Sequence, residues 1–386
     1  MPTIQNMKIC FVMPYHILEN RGGGAEVQAW ILAKELAQRG YEVTYIAQLV
    51  DNKRAQLQAL DGVIVKWIKY AHYFNWSNGW QYYRELKKTN PDIIVQRMTS
   101  FITGVIAFYI KKYKKRFVWI CTDNKSPKKW MFLKNQKEIN KENRVNLIKS
   151  IIFLFNAFIY DLSRQWGMKR VSYAFTQNEF QKKTLKEEFG IESFLMISGH
   201  EIPKNIIPIE ERFINRIVLW VGHLGRKKRP EKFIDLARIS ETSKFLFIMI
   251  GTKDDRSYIR SLFKDKLDNL KWLGRLSFYE TLSWFDKAVL LVNTSKDEGF
   301  PNTFIQAWLR GIPVITLGVD PDGIIKKYKL GYVARDVRGI LNYLVYLTND
   351  REAYKEIAEN AFKYAREKHS VAAMADNFLN VLAVNR

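Results

Sequence analysis

Two successive series of short apolar runs, each alternating with helical patterns, constrain this chain more than any other feature. The first opens with "KICFVMPY", a Gly-rich loop "NRGGG" and "AEVQAWILAKELAQRGYEV". In that last segment Val27, Trp30, Ile31, Lys34, Leu36 and Ala37 approximate helical spacing, Gly40 marks the stop, and "EVTYIAQ" follows as a second strand. Strand, crossover helix and strand make a βαβ unit, which implies a parallel sheet. Further strands are expected at 63–68, 92–98, 117–122 and 173–178. A second series starts at 215–224 and continues at 244–251, 270–276, 288–295 and 312–318, with helices such as "PEKFIDLARIS" and "FYETLSWFDKA" between them. The expected fold class is therefore α/β with two sheets. They join near "GHEIPKNIIPIEE" (199–211), where Pro203 and Pro208 suit a linker, and the segment from 351 onward reads as helical throughout.

A chain of 386 residues with 47% hydrophobic content can build two cores of ordinary size. Its two cysteines, Cys10 and Cys121, lie far apart without metal-ligand spacing, which argues against a disulfide scaffold or a zinc site and for a reducing compartment. The start "MPTIQNMKICFVMPY" reads as a first strand and not as a leader. The most apolar stretch, "LIKSIIFLFNAFIY" (147–160), falls short of the roughly 20 residues that span a bilayer and contains Lys149; it reads first as a buried helix, with a membrane-facing one as the alternative left open. The expected protein is cytoplasmic, soluble or membrane-associated, and not transmembrane.

Net charge is +23, and residues 108–149 alone hold 13 basic and 3 acidic side chains. Such a field attracts polyanions: nucleic acid, anionic lipid or a phosphorylated substrate. No nucleic-acid-binding signature accompanies it. The basic residues Lys111, Lys112, Lys114, Lys115, Arg116, Lys128 and Lys129, interleaved with aromatics such as Trp130, are read as a surface for an anionic membrane.

Three segments carry chemistry. "GGGAE", after a strand and before a helix, puts bare backbone N–H groups where a phosphate can bind, although a plain βα turn would use the same glycines. In "DEGFPNTFIQAW", Pro301 suits the first helical position and Gly311 the C-terminal cap, so Asn302, Thr303 and Phe304 would offer N–H groups to an anion. Glu298 stands just before, at a strand's C-terminal end, where open α/β sheets bind ligands. In "VGHLGRKKRPEKF", the basic run Arg226 to Arg229 between strand and helix could neutralise a diphosphate leaving group, or simply be a solvated charge run. The five histidines, His16, His72, His200, His223 and His369, have no metal-ligand pairing, and no metal site is expected.

These segments resemble the retaining glycosyltransferases of family 4, and most of all the bacterial branch that builds surface polysaccharides such as capsule, O-antigen or lipopolysaccharide. "GGGAEVQAWILAKELAQRGYEV" is similar to the family's opening loop and helix, "WVGHLGRKKRPEKFIDLA" to its G-R-L-x-x-x-K region, and "NTSKDEGFPNTFIQAWLRGIPVI" to its E-x7-E segment. The resemblance implies the GT-B fold: two Rossmann-like domains facing across a cleft. It places an acceptor domain at 1–207 with a returning C-terminal helix at 366–386, and a nucleotide-sugar donor domain at 208–365. It implies that Gly23 and Gly24 approach the donor diphosphate, that Lys228 pairs with it, that Glu298 touches the donor sugar, and that the Asn302–Thr303 amides cap the distal phosphate. Gly222, Gly299, Phe300 and Pro301 complete the donor loops. Two positions depart from the pattern: Gln306 replaces the second Glu, which holds the ribose, and His223 replaces an Arg, with Arg226 a substitute charge. Asp123, in "WICTDNKS", stands where the family often has a His and is nominated as a catalytic group.

The implied activity is metal-independent, cofactor-free transfer from a nucleotide-diphosphate sugar to a glycan or lipid-linked acceptor, with retained configuration. A sugar-nucleotide 2-epimerase shares the two-domain fold but has a different carboxylate and histidine pattern. A non-catalytic nucleotide-sugar or polyanion binder is the remaining alternative.

Overall fold

A computed structural model describes residues 7–18, 23–50, 58–70, 75–142, 145–251, 261–264 and 266–384. The chain divides into two compact units, residues 1–199 with 371–386, and residues 200–370. His72 lies outside the described residues.

The first unit is built on an eight-stranded sheet of β1 (Lys8–Val12), β2 (Glu42–Leu49), β3 (Ala59–Leu60), β4 (Val63–Lys69), β5 (Ile93–Gln96), β6 (Arg116–Ile120), β7 (Tyr173–Thr176) and β8 (Phe194–Leu195). Their order is β3-β4-β2-β1-β5-β6-β7-β8. All neighbours pair in parallel except β3 with β4. Strands buried on both faces read as continuous apolar runs, which is why "KICFV" and "RFVWI" carry so clear a signal. The two-residue strands β3 and β8 are too short to show any periodicity in the sequence.

Helices α1 (Gly24–Gln38), α2 (Gly79–Thr89), α3 (Ile102–Tyr113), α4 (Met131–Glu142), α5 (Leu147–Met168) and α6 (Glu179–Phe189) accompany this sheet. Leu32, Leu36 and their neighbours on α1 fill one face. Tyr82 and Leu86 of α2, Ile106 and Tyr109 of α3, Met168 of α5 and Leu185 of α6 fill the other.

The second unit carries six parallel strands: β9 (Ile217–Val221), β10 (Leu246–Ile250), β11 (Leu270–Trp272), β12 (Ala288–Asn293), β13 (Val314–Thr316) and β14 (Gly331–Val333). Their order is β11-β10-β9-β12-β13-β14. The described helices are α7 (Ile209–Asn215), α8 (Pro230–Ile239), α9 (Phe278–Lys287), α10 (Asn302–Trp308), α11 (Ile324–Tyr328), α12 (Val337–Asn349) and α13 (Arg351–Lys368). Two parallel sheets, each covered by helices, make two Rossmann-like domains of the GT-B class. The expected linker is partly ordered: Pro208 precedes α7, whose Arg212 donates to the carbonyl of Arg310 at 2.7 Å within the second unit.

The C-terminal segment is not one helix. It breaks at His369 and Ser370, where His200 N–H donates to the His369 carbonyl at 2.9 Å. A last helix, α14 (Val371–Val384), then belongs to the first unit. Its Met374, Phe378 and Leu382, one face of a helix, share the core of α1 and the sheet. Phe378 stacks on Phe175 at 5.8 Å, and Arg39 joins Asp376 at 2.5 Å.

Of the two readings of 147–160, the buried helix is overturned. Those residues open α5, a 22-residue helix whose buried positions are Ala157, Asp161, Arg164, Gly167 and Met168. Leu147 is 76% exposed and Ile148 73%. Only the C-terminal half of α5 is drawn close to the unit, because Gly104 on α3 and Gly167 on α5 leave room for the helices to cross. Among the described residues no helix is long and apolar enough to cross a membrane.

Phe378→Ala removes a fully buried ring and should destabilise the first unit by about 3–5 kcal/mol. Thermal unfolding of the full chain reads this as a lowered midpoint; an unchanged midpoint would contradict the packing of α14.

Candidate active site

In the second sheet the strand order reverses between β9 and β12, so the loops leaving those two strands diverge and open a crevice. The predicted donor residues fall on these two loops: Gly222, His223, Arg226 and Lys228 after β9, and Glu298, Gly299, Phe300 and Pro301 after β12, leading into α10.

A dense polar network holds the two loops together. Lys296 N–H donates to the Lys227 carbonyl at 2.8 Å. The Thr294 hydroxyl donates to the carbonyls of Lys228 and Arg229, at 2.7 and 2.9 Å, and accepts from Trp220 Nε1 at 2.9 Å. Arg229 reaches back from a left-handed backbone (φ 47°). Its Nε donates to the Thr294 carbonyl at 2.6 Å, and its Nη2 to the carbonyls of Ser295 and Leu317 at 3.0 and 2.8 Å. The basic run thus divides by role: Arg229 ties strand ends, Lys228 faces the crevice, and Arg226 is exposed.

Lys228 Nζ pairs with Glu298 Oε1, which also accepts from the Ser295 hydroxyl at 2.6 Å. Lys227 and Asp297 form a second, looser pair at 3.8 Å. The Glu298 side chain is only 12% exposed, so its attraction to Lys228 is less screened than that of a surface pair. His223 is exposed on the same loop. Gly251, at the end of β10, has φ 137°, and a Cβ there would lie 1.8 Å from the Gly222 carbonyl oxygen. That close approach requires a glycine and sets the height of the β9 loop.

Helix α10 begins one residue later than the sequence suggests. Pro301 is its N-cap and Asn302 its first helical residue; the helix ends at Trp308, and Gly311 (φ 63°) turns the chain after it. Phe304 N–H donates to the Pro301 carbonyl at 3.0 Å, and Asn302 and Thr303 form the first turn before it. Phe300 is braced by His369 at 4.9 Å and Trp308 at 6.4 Å between ring centres. Gln306, one turn into the helix, is buried, and its carbonyl accepts from Arg310 Nη1 at 3.1 Å.

The remaining candidates belong to the first unit. Gly23 caps α1, and its N–H donates to Glu26 Oε2 at 2.8 Å. Gly24 follows as the first helical residue, so both glycines lie at a reversal of strand order, between β1 and β5. Glu26 is buried, and burial raises its carboxyl above the ordinary value despite the N–H contacts that lower it. Asp123 shapes a turn: its Oδ1 accepts from the N–H groups of Lys125 and Ser126, both at 2.8 Å.

Four residues escape a reading of the sequence. Thr294, Ser295 and Glu26 are common residue types whose roles depend on partners distant in sequence or on burial. Arg97, at the end of β5, is 1% exposed and donates through Nη2 to Ser198 at 2.7 Å. Its Nε and Nη1 have no hydrogen-bond partner among the described residues, and burial lowers its pKa to about 10.

Comparisons with known proteins agree with this geometry. Residues 22–193 match the model "Glycosyltransferase Family 4", and residues 206–364 match "Glycosyl transferases group 1". The chain is a GT-B glycosyltransferase. An "Uncharacterized 42.6 kDa protein in cps region" of Klebsiella pneumoniae is 23% identical over 327 residues, covering 78% of this chain and 82% of that relative. Among solved structures, Anabaena Alr3699/HepE in complex with UDP and glucose aligns with TM-score 0.72 and 16% identity, over 98% of this glycosyltransferase and 100% of the Anabaena chain. Sucrose-phosphate synthase from Thermosynechococcus elongatus aligns with TM-score 0.74 and 13% identity, over 97% and 98%. A point mutant of S. aureus TarM, with UDP among its ligands, aligns with TM-score 0.72 and 13% identity, over 97% and 99%.

The supports of the site can be tested directly. Thr294→Val keeps the shape but removes the acceptor of Trp220 Nε1 and the donor to the Lys228 carbonyl, while the Arg229 carbonyl keeps the Lys232 N–H; it should cost about 1–3 kcal/mol in thermal unfolding. For Glu26, the raised folded-state pKa means its contribution to stability is greatest at low pH and declines as pH rises through that pKa. Glu26→Gln keeps an acceptor for Gly23 without the charge. Its stability relative to the native chain should therefore rise as pH increases above the ordinary glutamate range; a difference independent of pH would contradict this.

Proposed function

We propose that this glycosyltransferase moves a sugar, with retention of configuration, from a nucleotide-diphosphate sugar to a glycan or lipid-linked acceptor in bacterial surface-polysaccharide synthesis. The observation that carries the reading is the Lys228–Glu298 pair at the strand reversal, directly before the start of α10. A cation, a carboxylate and helix-start amides in one crevice match the three parts of such a donor. The diphosphate takes Lys228 and the Asn302–Thr303 amides, the sugar hydroxyls take Glu298, and the ribose takes Gln306. The UDP-bound structural relatives and the cps-region relative support this choice of donor and pathway.

In the free site Lys228 and Glu298 neutralise each other. An incoming diphosphate competes for Lys228 and releases Glu298 to the sugar. The bond from the anomeric carbon to the diphosphate oxygen breaks on the face where the acceptor oxygen forms its own bond, and the acceptor hydroxyl passes its proton to that departing oxygen. Lys228, with Arg226 and His223 nearby on the loop, supplies the charge for the leaving group, so activity is expected to persist in a chelator. Gly23 and Gly24 are assigned to the donor diphosphate, and the turn around Asp123 belongs to the acceptor unit. Asp123 acts through the turn it holds.

The test is hydrolysis and transfer with UDP-, GDP- and ADP-sugars in buffer containing EDTA. Glu298→Gln should lower kcat by about 10²–10³-fold. It should leave nucleotide-diphosphate affinity unchanged or tighter, because Lys228 loses its competitor. Full turnover in this variant would remove the central claim.

A further inference from the structure

Among the described residues, the outer face of α5 is an exposed apolar surface, covered only at its border, where Trp130 meets Phe158. Projected at about 100° per residue, Leu147, Ile148, Ile151, Phe155, Phe158 and Leu162 fall within one stripe roughly 100° wide. Each is exposed, Ile151 and Phe155 at 59%. No charged residue lies within that stripe between 147 and 162; Lys149, Asp161 and Arg164 all point elsewhere on the helix. Twenty-two helical residues extend about 33 Å. From Ala157 onward the inner face is committed to the protein. Asp161 accepts from Leu133 N–H at 2.8 Å, and Arg164 donates to the carbonyls of Lys128, at 2.7 Å, and Ser126. The helix therefore cannot turn its stripe inward, and its buried charges prevent it from spanning a bilayer.

Cations surround this stripe. Lys149 is exposed in the first turn, and Lys134, Lys137 and Lys141 are exposed on α4, which packs on α5. The acidic Glu138 of α4 is paired with Lys125 at 3.4 Å. Arg170, just beyond the last turn, stacks on the half-exposed Trp166 at 3.9 Å, a cation–aromatic pair suited to a lipid headgroup zone. Helix α3 also packs on α5, belongs to the same layer over the sheet, and exposes Phe108, Lys111, Lys112 and Lys114 on its outer side. The basic residues nominated from sequence are not equivalent, however. Lys115 pairs with Asp92 at 3.3 Å, Arg116 contacts Met7 Sδ, and Lys128 and Lys129 lie over the rings of Phe180 and Phe189. Trp130 stacks on Phe158 at 5.8 Å and so borders the stripe.

We infer that α5 is a membrane-docking helix, lying in the plane of an anionic bilayer with its apolar stripe among the acyl chains and its surrounding lysines at the headgroups. An apolar face without acidic residues, rimmed by cations, complements that surface, whereas a neutral protein groove would leave the rim unanswered. The docking surface is independent of the proposed reaction. Its purpose, delivering a lipid-linked acceptor, rests on that reading.

The experiment uses the full chain with vesicles of phosphatidylcholine alone, or of phosphatidylcholine with phosphatidylglycerol. Native protein should co-sediment with the mixed vesicles, and salt at about 0.5 M should weaken this. Ile151→Asp and Phe155→Asp should each reduce partitioning by about ten-fold or more, with Ile151→Ser as a milder control for folding. Lys111, Lys112 and Lys114 changed together to Gln should reduce binding and its salt dependence. Cys10 and Cys121 are both buried, so a polarity-sensitive dye on Ile148→Cys reports insertion by a blue shift with mixed vesicles. Hydrolysis of a soluble nucleotide sugar should be unchanged in the Ile151 and Phe155 variants, which separates this test from that of the reaction. The inference is overturned if native protein binds neither vesicle, if Ile151→Asp binds like native protein, or if the stripe variants only convert a dimer to a monomer.

Discussion

Arg229 makes the interaction on which the crevice of the second unit depends. Strand order reverses between β9 and β12, and nothing in a parallel sheet by itself holds the two diverging loops at a fixed separation. One guanidinium does so, donating to Thr294, Ser295 and Leu317. Three carbonyl partners for a rigid planar fork define a position more narrowly than a single ammonium could. With the loops held, Lys228 and Glu298 meet, and Ser295 completes the carboxylate's shell. The chemistry of the crevice thus rests on a residue that has no need to touch a substrate.

A similar division of labour appears on α5. Its inner face uses a buried pair, Asp161 and Arg164, to shape the segment from Ser126 to Leu133. Burial lowers the Arg164 pKa to about 10 and raises Asp161, so the pair is costly and persists because carbonyl and N–H groups complete it. The outer face is apolar and exposed. One helix therefore couples the turn that Asp123 holds to a candidate membrane surface, and both depend on the close crossing at Gly104 and Gly167.

Much of this architecture is legible in the residues. Strands such as "IVLWV" and "AVLLVN" stand out because both faces are buried. The segment from Glu298 to Gln306 is recognisable because a carboxylate, a Pro cap and a helix start lie consecutively in the chain. The limits are equally physical. A run of apolar residues has the same composition whether it faces a core or stands outside one, so 147–160 leaves a buried and an exposed helix both open until the fold exposes it. The run from Arg226 to Arg229 looks like one cationic cluster, yet Arg229 is a structural tie and Lys228 is the member that pairs with Glu298.

The α/β class, the two sheets and the order of their elements along the chain are thus encoded locally, by periodicity or by adjacent residues. Only the tertiary structure decided that Thr294, Arg229 and Gly251 set the crevice, that the chain breaks at His369 before α14 joins the first core, and that α5 turns an apolar face outward. Those outcomes depend on partners distant in the chain. No local pattern specifies which of a helix's faces finds a neighbour.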